Sequence, residues 1–168
     1  RQINYGKRFS PQKPSFPFPL GYPEENVSDA ELDKQREELR AEFDYTQFDF
    51  ICCFFGMMGR YFELKCVVEA ASELPNVGFI LAGDGKERAA IAPIAQTKPN
   101  VYLPGWVKKP KIQAIMSVSD VGLAPYKGSD AFSLPNKPFE YMSGGLAILS
   151  TVQGELREII SKNNIGTT

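Results

Sequence analysis

The sequence predicts an α/β domain built on a Rossmann-like, doubly wound parallel sheet, and three observations predict it. Short apolar runs recur at Phe50–Phe55, Val77–Ala82, Val101–Leu103, Val121–Pro125 and Leu146–Leu149. They lack strict polar alternation, the pattern of strands buried on both faces. Helix-period segments separate them, and five strand-then-helix units in series imply right-handed crossovers and a mostly parallel sheet. Glycine-containing loops follow the runs, at the carboxyl ends of strands where such a sheet binds its ligand.

The elements follow in chain order. Residues 1–27 carry Pro11, Pro14, Pro17, Pro19 and Pro23 with Gly6 and Gly21. That density of fixed φ and missing donors forbids a continuous helix and reads as an extended connector or leader. Residues 28–168 form the folded body. Ser28-Asp29-Ala30-Glu31 has capping-box spacing, and the helix it opens runs to about Phe43. Its thin stripe of Leu32, Leu39 and Phe43 suits a surface helix lying against something larger. Leu64, Val67, Val68, Ala71 and Leu74 share one face of the helix after the first strand. Pro110 sits at a favoured first-turn position before Ile112, Ile115 and Met116. A further helix opens at Pro135-Asn136-Lys137-Pro138 and ends at Gly144-Gly145, and Leu156, Ile159 and Ile160 mark the last one.

Composition narrows the function. The chain has 168 residues, 43% hydrophobic and 23% charged, with 19 Lys+Arg against 20 Asp+Glu. That is the mix of a globular domain without a basic field, which argues against a nucleic-acid partner. No apolar run approaches the roughly 18–20 residues of a membrane span. There is no His, so a Ser-His-Asp triad, a Cys-His pair and a His-based metal site are all excluded within this segment. Cys52, Cys53 and Cys66 lack metal-ligand spacing and read as reduced core thiols of a cytoplasmic protein. The chain starts at Arg1 and stops after Asn163-Asn164-Ile165-Gly166, which reads as part of a longer protein.

Four strand-end loops hold the candidate site. Gly56-Met57-Met58-Gly59-Arg60 follows the first strand; its glycines allow close approach to a phosphate, with Arg60 as a charge-assisted donor, or else they make a tight turn. Gly83-Asp84-Gly85 follows the second; it leaves room for a ligand against bare backbone, or Asp84 caps a helix. After the third, Trp106-Val107 offers an indole that stacks on a base or packs, followed by Lys108, Lys109 and Lys111, which read more simply as a solvated charge run. After the fourth, Asn136 and Lys137 stand at a helix start suited to a diphosphate, and Glu140 lies one turn in. A carboxylate there accepts two hydrogen bonds from a vicinal diol such as ribose. Alternatively it complements the helix dipole.

Leu81-Ala82-Gly83-Asp84-Gly85, Asn100–Trp106, Ser119–Pro125 and above all Ser133–Gly145 together resemble the C-terminal donor-binding half of the family 4 (group 1) glycosyltransferases of GT-B fold, over about Pro19 to Gly166. The last block is similar to the branch with a Pro-Asn-Lys loop found among enzymes of bacterial surface polysaccharide synthesis. The resemblance implies a two-lobed enzyme, with a nucleotide sugar (UDP- or GDP-linked) on this lobe and a glycan or lipid-linked acceptor on an N-terminal lobe. It implies retaining transfer without a metal or other cofactor, in an enzyme that is cytoplasmic or peripheral at the inner face of a membrane. By residue, it places Gly56, Gly59, Asn136 and Lys137 at the diphosphate and Glu140 at the ribose. Gly83 and Gly85 match the second-strand turn and Trp106-Val107 the stretch near the base. It assigns no catalytic residue here, since the family's catalytic His lies in the other lobe, and this lobe alone is expected to bind without transferring.

The sequence departs from the family pattern at three places. Phe132 stands where a first glutamate, associated with the donor sugar, is expected, leaving Asp130 as substitute. Met57 and Phe62 occupy positions often held by Arg and Lys; Arg60 and Lys65 keep that spacing three residues later, Arg60 being the preferred phosphate ligand. Rival readings keep the fold but change the role: a GT-B-type sugar-nucleotide epimerase, a glycogen-type synthase, or a non-enzymatic flavodoxin- or receiver-like domain.

Overall fold

The computed structural model describes residues 8–9, 11–12, 27–128 and 134–168. The linker assigned to 1–27 therefore falls almost wholly outside the described residues, as do Asp130 and Phe132. The body runs α1 (Asp29–Glu42), a 3-10 turn (Tyr45–Gln47), β1 (Phe50–Phe55), α2 (Leu64–Ala70), β2 (Val77–Ala82), α3 (Lys86–Ala95), β3 (Val101–Gly105), α4 (Lys109–Ser117), β4 (Val121–Ala124), α5 (Asn136–Ser143), β5 (Ala147–Ser150), α6 (Glu155–Asn163) and β6 (Gly166–Thr167). The strands make one sheet in the order β3-β2-β1-β4-β5-β6, every pairing parallel. Strand order reverses beside β1, between β2 and β4, which places the expected binding crevice above the ends of β1 and β4.

Both faces of the central strands are covered, and this is why their sequences do not alternate. Ile51, Cys53 and Phe55 pack with Leu39, Ile115, Tyr141 and Leu156 on one face; Cys52 and Phe54 pack with Leu64, Val68 and Ile91 on the other. Among the described residues no helix is long and apolar enough to cross a membrane. The β1 and β2 bounds match the apolar runs residue for residue. β6 was not expected: it is two exposed residues pairing with Ile148 and Leu149, without an apolar run to announce it. Cys66, expected in the core, is exposed on α2. Asp84 does not cap α3; Gly85 does, and the Asp84 carboxylate accepts from the Gly85 N–H at 2.7 Å.

α1 lies against α4, burying Leu39 and Phe43 under it. Ser28 Oγ accepts from the Glu31 N–H at 3.4 Å, but the Glu31 carboxylate takes Gln35 instead of closing the box. The far end is tied at Glu42, which accepts from the Lys111 ammonium and the Tyr102 hydroxyl. These two donors hold the Glu42 carboxyl below its ordinary range.

Candidate functional site

The helix carrying most of the candidate residues is seated by one aromatic ring. Tyr141 is fully buried and donates its hydroxyl to Leu123 O at 2.8 Å. Its ring lies so close on β4 that a Cβ at Gly122 would fall inside it. Glycine at 122 thus lets α5 press onto the strand, and the press sets Lys137, one turn before Tyr141 on the same side, and Glu140, the residue just before Tyr141, at the β1–β4 crevice.

There they line an open cavity of about 1100 Å³ together with Phe55, Gly56 and Met57 from the end of β1 and Trp106, Val107 and Lys108 from the loop after β3. The volume suits a ligand of small-molecule size (roughly 300–1,000 Å³ is usual). Trp106 is 71% exposed, so its indole is not spent on the core. No hydrogen bond or ion pair holds the Glu140 carboxylate among the described residues, although its charge reaches Lys137 and Tyr126. The opposite wall was not legible in sequence. It comes from Val27, Asp29 and Leu32 at the start of α1 and from Ile112, Gln113 and Met116 on α4, with Gln113 Oε1 accepting the Val27 N–H at 3.2 Å. Only the packing of two helices distant in sequence brings them there.

Lys137 does not hang free in this cavity. Its ammonium donates to Phe55 O and lies 4.5 Å from the Phe54 ring centroid, 5.5 Å from Phe55 and 5.4 Å from Phe62. Burial pushes its pKa down to about 8, against the nearby Glu140 carboxylate and Cys53 thiol, which raise it. An unfolded lysine titrates near 10.4, so between these values the unfolded chain keeps a proton that the folded chain has released. Stability therefore rises with pH through that window. The Cys52 and Cys53 thiols, pushed up by burial to about 11 and 12, act in the opposite sense as unfolded thiols ionise. Comparing wild type with Lys137→Met cancels them. Urea unfolding at pH 7 and pH 8.5 should show wild type gaining roughly 1 kcal/mol on the variant; equal pH dependence would mean that the ammonium is not desolvated.

Among the described residues, the remaining expected ones are not at the cavity wall. Arg60, expected as a phosphate ligand, is exposed and captured by its neighbour: its guanidinium lies 4.9 Å from the Tyr61 ring centroid and donates to Tyr61 Oη at 2.9 Å. Lys65 pairs with Glu69 on the outside of α2 at 3.5 Å. Gly59 turns the chain, its carbonyl accepting from the Phe62 N–H at 3.1 Å, and Asn136 is exposed at the start of α5. Gly83 (φ +146°) and Gly85 (φ +144°) do not keep space open for a ligand. A Cβ on either would strike the main chain of Gly56 or Met58, so they serve the close approach of two loops. That approach is sealed by Gly56 N–H to Ala82 O (2.9 Å) and Met58 N–H to Asp84 O (2.8 Å), while Gly83 N–H to Gly105 O (2.6 Å) ties the β2 loop to the end of β3.

Solved structures share this fold. WaaG, a glycosyltransferase involved in lipopolysaccharide biosynthesis, superposes with a TM-score of 0.58 at 19% identity over 84% of this chain and 38% of its own. HepE from Anabaena, solved in complex with UDP, gives 0.61 at 16% over 84% and 39%. The UDP-GlcNAc 2-epimerase from Neisseria meningitidis, bound to UDP-GlcNAc, gives 0.52 at 16% over 83% and 38%. The chain thus spans less than two fifths of each of these proteins, and transferases and an epimerase alike carry the fold, which alone does not separate them. No curated protein matches the sequence. A family profile does: the one described as "Glycosyl transferases group 1" matches residues 49–167, from just before β1 to the end of the sheet, and the chain belongs to that family.

Proposed function

We propose that this chain is the nucleotide-sugar-binding lobe of a two-lobed glycosyltransferase, with the acceptor carried by a second, N-terminal lobe. The observation that supports it is the single cavity in which the Gly56–Met57 turn, Lys137, Glu140 and Trp106 meet. The diphosphate lies along the Gly56–Met57 turn with the Lys137 charge behind it, the ribose diol on Glu140, and the base beside Trp106 and Val107. In transfer, the anomeric C–O bond to the nucleotide breaks and its electron pair leaves on the diphosphate oxygen. Main-chain N–H groups of the turn stabilise that growing charge, a role that a bound metal would otherwise fill. The bond to the acceptor oxygen forms on the same face in a retaining enzyme, and the proton of the acceptor hydroxyl passes to the departing diphosphate oxygen. The likeness to HepE, which was solved with UDP, favours a UDP-linked donor.

Calorimetric titration with UDP, GDP and ADP tests this. UDP should bind, and Glu140→Ala should weaken it tenfold to a hundredfold, since a charge-to-hydroxyl hydrogen bond is worth roughly 1.5–3 kcal/mol. Absence of binding by all three nucleotides, or an unchanged affinity in the variant, would overturn the assignment.

A further inference from the structure

Three consecutive peptide units at the end of β1 are held in different ways. The Phe55–Gly56 peptide is gripped at both ends: its carbonyl takes the Lys137 ammonium and its N–H donates to Ala82 O at 2.9 Å. Two units on, the Met58 N–H donates to Asp84 O at 2.8 Å. Between them, the Met57 N–H has no acceptor among the described residues, on a residue 71% exposed at the cavity wall. Gly56 at φ +117° makes the intervening corner, and a Cβ there would sit 2.7 Å from the Lys137 ammonium nitrogen. The ammonium therefore lies directly behind the turn, with three aromatic rings around it and a main-chain oxygen in front.

Taking the cavity as a nucleoside-diphosphate site, we infer that Lys137 is a positioning residue: it ties the start of α5 to the last carbonyl of β1 and thereby holds the Met57 N–H at the rim as a donor to a phosphate oxygen. An unpaired N–H beside a cavity is an anion donor only if its peptide is held still, because each soft dihedral left free costs entropy on binding. The neighbouring peptides are fixed on one side by Lys137 and on the other by the β2 loop. Lys137 also couples the phosphate end of the cavity to Glu140, three residues further along α5. The two subsites then move as one body.

Amide hydrogen exchange on the free protein, combined with calorimetry using UDP and uridine, tests the inference on Lys137→Met and Lys137→Arg. In Lys137→Met the Gly56 and Met58 amides should exchange at least tenfold faster, with β5 amides unchanged. UDP affinity should fall tenfold or more while uridine affinity stays within twofold. Lys137→Arg should not restore UDP affinity, since a guanidinium is too wide for the space behind Gly56. Unchanged exchange in Lys137→Met overturns the inference. So does full recovery by Lys137→Arg while the turn still exchanges fast, which would make the charge itself the ligand. Should wild type bind neither UDP nor uridine, the assignment of the cavity fails, and the exchange rates still decide whether Lys137 holds the turn.

Discussion

Replacing Gly83 by Ala should destabilise the protein by roughly 4 kcal/mol and remove measurable nucleotide binding, combining overpacking of about 1–3 kcal/mol with backbone strain of similar size. The position is loaded twice. Its φ of +146° is one that side chains rarely adopt, and a Cβ there would overlap the Gly56 carbonyl oxygen. Neither partner can give way, because the obstacle is main chain. The β1 and β2 loops would have to separate, breaking the bonds from Gly56 N–H to Ala82 O and from Met58 N–H to Asp84 O that flank the Met57 N–H. For a chain of this size, 4 kcal/mol is roughly a 10–15 °C fall in Tm. Gly128→Ala is the control, since Gly128 also has a positive φ (+70°) but nothing within 4 Å of a Cβ. It should cost only about 1 kcal/mol of backbone strain. Thermal unfolding of the two variants measures the difference; equal Tm values would show that the loops part without cost.

These glycines also show what a sequence conveys and what it withholds. A glycine beside a strand end signals that something comes close to the backbone, and at Gly83 and Gly85 the sequence suggests a ligand. The identity of what comes close is not a local property, and here it is the neighbouring loop. Arg60 repeats the lesson for charge. The sequence places a guanidinium beside the first glycine turn, yet the adjacent Tyr61 supplies a ring and a hydroxyl that hold it outside the cavity. Where burial on both faces dictates residue type, as in β1 and β2, the pattern could be read to the residue. Where a helix start is set by proline, as in α5, Lys137 and Glu140 could be placed at the crevice. The aim of the Lys137 ammonium depended on Phe55, more than eighty positions away, and the wall from α1 and α4 depended on helix packing. Neither leaves a local trace.

Asn100→Asp should be the most damaging change away from the cavity, costing roughly 3–5 kcal/mol, the size expected for an uncompensated buried charge. Asn100 is buried, and its amide nitrogen donates to Ala71 O at 2.9 Å, Leu74 O at 3.0 Å and Val77 O at 2.9 Å. One side chain thus closes the end of α2, the turn after it and the start of β2. Alanine would leave these carbonyls without that donor in a space that water does not readily enter, at about 1–3 kcal/mol. Aspartate is nearly isosteric and reverses the chemistry: an ionised carboxylate offers only acceptors, facing three carbonyl oxygens. Desolvation and those dipoles would raise its pKa, so the folded variant would hold a proton that the unfolded chain releases. Its stability should therefore increase as pH falls from 7 towards 4.5, a gain absent from Asn100→Ala. Urea unfolding of both variants at the two pH values measures this. If the aspartate and alanine variants are equally stable at pH 7 and respond equally to acid, the carbonyl cluster is not closed to water, and the β2 end of the sheet is held by apolar packing alone.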